Sequence, residues 1–94
     1  MEISFSFDKN HNKEHFKVNH PDILNEEIFE IFENAYLEFE TQKHIKTIIG
    51  HTNSKKFLVL VGIFDKTKTK FRVITAYRAK RKHIIFWNNE VKKK

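Results

Sequence analysis

Ninety-four residues with no cysteine, two glycines and one proline make a single domain with a modest core, and exclude a disulfide framework, a thiolate metal site and a glycine-rich phosphate loop. The formal charge of +6 is lopsided: residues 1–50 carry five Lys against ten acids, a local −5, while residues 51–94 carry thirteen Lys or Arg against Asp65 and Glu90, a local +11. That split fits two opposed surfaces, the basic one attracting a polyanion such as nucleic acid, although a solvated lysine surface has the same composition.

Met1–Phe7 alternates Ile3, Phe5 and Phe7 with Glu2, Ser4 and Ser6, the pattern of a half-buried first strand. Its short apolar run, spoiled by Glu2, does not read as a secretory leader. Asp8–Val18 is polar, with His11 and His15 four apart; a short helix capped by Asp8 or Asn10 is expected. Pro21 then breaks the chain and holds His20 extended. From Ile23 or Leu24 to Ala35, Leu24, Ile28, Ile31, Phe32 and Ala35 recur at helical spacing, with Glu26, Glu27, Glu30 and Glu33 forming an acidic ridge. Tyr36–Glu40 suits a short edge strand, and His44–Thr52 a strand with Ile45, Thr47, Ile49 and His51 on one face.

Phe57–Phe64 is apolar on both sides apart from Gly62, so it belongs in the middle of a sheet covered on both faces. Asp65–Lys70 is a polar hairpin link without Gly or Asn, which leaves its turn type open. Phe71, Val73, Thr75 and Tyr77 then alternate with Arg72, Ile74, Ala76 and Arg78. After Arg78 the period changes: Ile84, Trp87 and Val91 mark a closing helix whose lysine tail, 92–94, is expected to fray. The expected fold is α+β: a mainly antiparallel sheet of about four strands, two N-terminal helices and a C-terminal helix, all within one domain, 1–94.

Among possible chemistries, metal binding is poorly supported. His11, His15 and His20 are close in sequence, but there is no cysteine and no His-Glu-x-x-His. No run of the chain reaches the roughly 18 apolar residues of a membrane span. The absence of cysteine fits a reducing, cytoplasmic compartment.

The richer constellation is Arg72, Tyr77, Arg78, Lys80, Arg81, Lys82 and His83, with His51, Lys55 and Lys56 across the sheet. Metal-free RNA cleavage needs a group for the 2′-hydroxyl proton, a cation at the phosphate and a proton for the leaving 5′-oxygen. Imidazole and guanidinium supply these, and Tyr77 and Trp87 offer surfaces for base stacking. A basic first turn opposes the dipole of the last helix, a cost that an approaching anion would offset.

The order of pieces resembles the BrnT family, toxins of bacterial type II toxin–antitoxin pairs that are small ribonucleases with a RelE-like fold. The resemblance rests on Phe7-Asp8 for the family's Trp-Asp and on 25–32 (NEEIFEIF) for its second helix. It continues with 49–52 (IGHT) for its Ile-Gly-Arg-Thr turn, Leu58–Val61 for its central strand, and 72–76 (RVITA) for its Arg-x-Ile-Ser-Ala. His51 stands for the turn's arginine, Tyr77 for the arginine after Ala, and His83 and Trp87 for the final helix's Glu and Tyr.

The resemblance implies a metal-independent endoribonuclease acting on RNA without a cofactor, and a small DNA-binding antitoxin as partner. Arg72 would clamp phosphate, and His51 and His83 would do acid–base work. Arg78 and Lys56 would position substrate, together with Lys55, Tyr77, Lys80, Arg81 and Trp87. Two alternatives stand beside it: a non-catalytic module that binds nucleic acid or an acidic partner, and an interaction protein whose acidic ridge docks a basic one.

Overall fold

The unbroken apolar run becomes the centre strand, and the other elements are placed by what each of its faces must bury. The computed structural model describes residues 2–92. The elements in chain order are β1 (Glu2–Phe5), β2 (Phe7–Asp8), β3 (Lys13–Glu14), α1 (His15–Asn19), α2 (Asn25–Glu33), β4 (Tyr36–Gln42), β5 (Ile45–His51), β6 (Phe57–Phe64), β7 (Lys70–Arg78) and α3 (Arg81–Lys92). The main sheet has five strands in the order β1-β7-β6-β5-β4. β4 to β7 form an antiparallel meander, and β1 pairs parallel to β7, so the sheet is mixed. The α+β class is as expected; the strand count of about four is too low by one, because the stretch from Tyr36 forms a full seven-residue edge strand, β4. Of the lysine tail, Lys92 closes α3 and the last two residues lie outside the described part.

Leu58, Leu60 and Ile48 face α1 and α2, where they pack with Phe16, Ile28, Ile31, Phe71, Val73 and Ala76 in the core. The alternate residues Val59 and Ile49 are also buried, on the face that α3 crosses over β4 and β5. α2 rides close on β5 because Gly50 has no side chain: a Cβ there would lie 2.9 Å from Ile31 Cγ2. The Asp65–Lys70 link is organised by one carboxylate. Asp65 accepts the N–H groups of Thr69 (2.8 Å) and Lys70 (3.0 Å) and the hydroxyls of Thr67 and Thr69, while Lys68 takes the left-handed backbone (φ 58) that Gly or Asn would otherwise supply.

Two local expectations are corrected. Asp8 does not cap a helix. Its carboxylate accepts the N–H groups of Asn10 and His11 in the turn of a small β2–β3 ribbon, and the helix begins only at His15. His11 and His15 therefore do not share a helical face; both rings turn to the Asp8 carboxylate, at 3.3 and 3.8 Å. Phe7 falls beyond the end of β1 and is 56% exposed.

The alternation in β7 is also broken. Thr75 lies opposite Val61 while Val73 lies opposite Gly62, so Ile74 is the extra residue of a bulge. Ala76 thereby rejoins Phe71 and Val73 in the core, while Thr75 and Tyr77 turn over to the side of Arg72.

Candidate active site

The site predicted from the sequence does not assemble as one cluster. Arg72 pairs across the sheet with Ile63, whereas His51 pairs with Phe57 at the other end of β6. Six residues of extended strand separate the two ends by about 20 Å. Arg72 is exposed beside Ser4, Lys70 and Asp65, away from both histidines. His51 is also unsuited to proton transfer with a substrate. It is 7% exposed, its Nδ1 donates to the Thr52 carbonyl (2.8 Å), and its ring is wedged edge-on against Phe57 and Trp87.

Trp87 in turn packs on both of those rings and is no open stacking platform. The physical reason is shared: once α3 lies over β5, a large ring is needed to fill the space between them, and His51 fills it. His51→Ala is therefore expected to lower stability by about 1–3 kcal/mol, read as a fall in melting temperature, and to leave the activity per folded molecule unchanged.

Of the predicted substrate contacts, Lys56 is held by Glu27 at 2.8 Å on the α2 side. Lys55 is at an exposed turn in left-handed backbone (φ 68), and Arg81 is exposed outside the cleft described next.

Tyr77, Arg78, Lys80, Lys82 and His83 do come together, in a cleft of about 440 Å³ that His20 and Asp22 complete. Its position follows from the sheet. β1 stops opposite Val73, so the end of β7, paired with β6 on one edge, has no strand on the other. Into that gap α1 delivers His20, and the start of α3 delivers His83. The Tyr77 ring lies between the two imidazoles, with centroids 6.2 Å from each.

His83 also closes the start of its own helix. Its Nδ1 accepts the N–H of Lys80 (3.0 Å), the residue before α3, as a glutamate or glutamine does in the third position of a helix. Glu27 does the same for the Leu24 N–H at α2. With Nδ1 occupied as acceptor, the neutral ring carries its proton on Nε2 and is a donor. Burial first, and then the ammonium groups of Lys82 and Lys80, hold the His83 pKa below its ordinary value, so the neutral donor form persists at neutral pH. His20 makes no side-chain hydrogen bond among the described residues, so both of its ring nitrogens are left for a ligand in the cleft. Lys80 and Lys82 place positive charge at the rim, and Arg78 is tied to Asp22 at 2.7 Å.

His20 and Asp22 were not singled out as site residues from sequence. His20 stood out only as a neighbour of Pro21 and as a third histidine near His11 and His15, and its value depends on where β1 ends. Asp22→Asn is expected to free Arg78 and remove a negative charge from the cleft, tightening binding of a single-stranded RNA a few-fold at low salt; a fluorescence anisotropy titration checks it.

Among the described residues no group of three or more His, Asp or Glu is arranged to hold a metal ion, and no helix is long and apolar enough to cross a membrane. No protein-family model matches the chain, and neither a curated protein nor a solved structure is significantly similar to it.

Proposed function

We propose that the protein is a BrnT-like toxin, a metal-independent endoribonuclease whose active site is the cleft around Tyr77, not the His51–Arg72 constellation. The observation that carries the reading is the placement of Tyr77 between a free imidazole, His20, and a capped, neutral one, His83, under a rim of lysines. His20 takes the 2′-hydroxyl proton as that oxygen attacks the phosphorus. The charge that builds on the phosphate oxygens meets the His83 Nε2–H and the Lys80 and Lys82 ammonium groups. The leaving 5′-oxygen takes its proton from the Tyr77 hydroxyl, which regains one from the His20 imidazolium. The products are a 2′,3′-cyclic phosphate and a 5′-hydroxyl.

The RelE-like arrangement belongs to the same proposal. It is supported by the element order: apart from the small β2–β3 ribbon, a first strand, two helices, a four-strand meander and a closing helix. A small DNA-binding antitoxin covering the basic cleft, and a cytoplasmic location, go with it. One observation favours the non-catalytic binding module as second reading: Arg78 and Lys56, both basic groups near the cleft, already have carboxylate partners in Asp22 and Glu27.

The experiment is cleavage of an end-labelled single-stranded RNA by purified protein, with the 2′-O-methyl version as control. Cleavage of the first alone, lowered about 10²–10⁴-fold by His20→Ala with RNA affinity retained, is the expected result. Binding without cleavage moves the protein to the second reading, and no binding at all ends both.

A further inference from the structure

α3 is a twelve-residue helix without one fully buried residue, and its outward stripe is apolar in the middle and basic at the ends. Ile85 is 51% exposed, with Arg81 one turn before it and Lys92 two turns after; Phe86 beside it is 44% exposed, one edge of its ring against Phe39 of β4. The outward stripe of α2 has the opposite charge in the same layout: Phe29, 40% exposed, stands between Glu26 and Glu33. Beside it runs a groove of about 590 Å³ walled by Ile3, Phe29, Phe32 and Tyr36, with Glu33 at the rim together with Lys68, whose charge is matched by Glu38 at 3.1 Å. None of Glu26, Glu33, Arg81 and Lys92 has an ion-pair partner among the described residues.

We propose that the occupant of each stripe is the other stripe on a second copy of this chain: α3 of one copy lies along the α2 groove of the next, with Ile85 and Phe86 against Phe29. Several observations favour a second copy over a foreign helix. One contact accounts for both uncovered stripes, each with its apolar residue and its charges in matching order. α2 and α3 lie on opposite faces of the sheet, so a single molecule cannot join its own two stripes. The contact is therefore heterologous, and a joined pair keeps one free stripe of each kind, on opposite copies, with which to add another. Because the matched charges are exposed, salt weakens it.

The test is sedimentation equilibrium of the purified chain over rising concentration. The expected result is an average mass that climbs from the 11.4 kDa monomer past that of a dimer and falls back at high salt. Two variants separate the stripes: Glu26→Lys with Glu33→Lys, and Arg81→Glu with Lys92→Glu. All four sites are on the surface, and circular dichroism confirms that each variant folds.

Each variant alone is expected to sediment as a monomer, since its two stripes then carry the same charge. An equimolar mixture is expected to associate again. Ile85→Ser, which leaves the charges and the Phe86 contact with Phe39 in place, is also expected to be monomeric. A wild-type chain that stays monomeric throughout overturns the proposal, as does a mixture of the two charge variants that fails to associate. A monomeric wild type that binds a synthetic acidic amphipathic helix assigns α3 to a foreign partner and overturns it too.

Discussion

Gly62→Ala is expected to destabilise the fold by about 3 kcal/mol or more, the upper end of what inserting a single methyl group into a packed site costs. The added Cβ would stand 2.2 Å from the Arg72 carbonyl oxygen and 2.6 Å from the Phe71 ring. The ring can turn aside; the carbonyl is backbone, fixed by the bulge that seats Val73 opposite Gly62. Small domains are stable by only about 5–15 kcal/mol, so the loss is a large share of the total. A urea titration followed by Trp87 fluorescence checks it, since Trp87 is the sole tryptophan and reports the contact of α3 with the sheet. A midpoint unchanged from wild type would show that β7 yields at the bulge and that the close approach is not needed.

The second large effect concerns His83, where two substitutions separate two roles. His83→Ala is expected to cut RNA cleavage about 10²–10³-fold, the usual loss when a donor to a developing oxyanion is removed. His83→Gln is expected to keep most of the activity. In the same position a glutamine carbonyl accepts the Lys80 N–H and its amide offers an N–H to the cleft, as the neutral imidazole does. If Gln is as inactive as Ala, His83 transfers a proton and the assignment to His20 is wrong.

Stability follows the same group. The fold holds His83 neutral below its ordinary pKa of 6.5, so the unfolded chain binds more protons in that window. His83's contribution is therefore present above pH 6.5 and is lost as the pH falls through the depressed value. His83→Gln is expected to flatten the melting temperature just below pH 6.5. It leaves the loss at lower pH, where Asp8, Glu14, Glu27 and Asp65, all held below their ordinary values by hydrogen bonds, become protonated.

Much of the fold is legible from the residues because it follows from apolar spacing. Phe57–Phe64 had to be central, and Ile28 and Ile31 had to face it. The bulge was not, because alternation in a sequence does not say where a strand carries an extra residue; the clue was Gly62 inside an otherwise unbroken apolar run. β1 reads as a strand from its alternation, but nothing local says that it lies parallel to β7.

The site was legible in half. Tyr77 to His83 are contiguous, and their charge marks the end of the last strand as a place for an anion. His51 misled because an imidazole standing where the resembling family has an arginine suggests chemistry, and only the packing of α3 shows that its ring is a filler between Phe57 and Trp87. His20 was missed for the converse reason: its neighbours in space are more than fifty positions away.

The pairing of β1 with β7 has a consequence for how the molecule comes into being. Residues 2–5 find their partners only at 70–73, so the chain's first strand waits for its last one, while β4 to β7 zip up between near neighbours. On the ribosome the sheet cannot be completed until the residues of β7 have emerged, and the gap that exposes Tyr77 is not bounded until then. A polypeptide with this topology acquires the cleft around Tyr77 only after its earliest-made strand has met one that is made some seventy residues later.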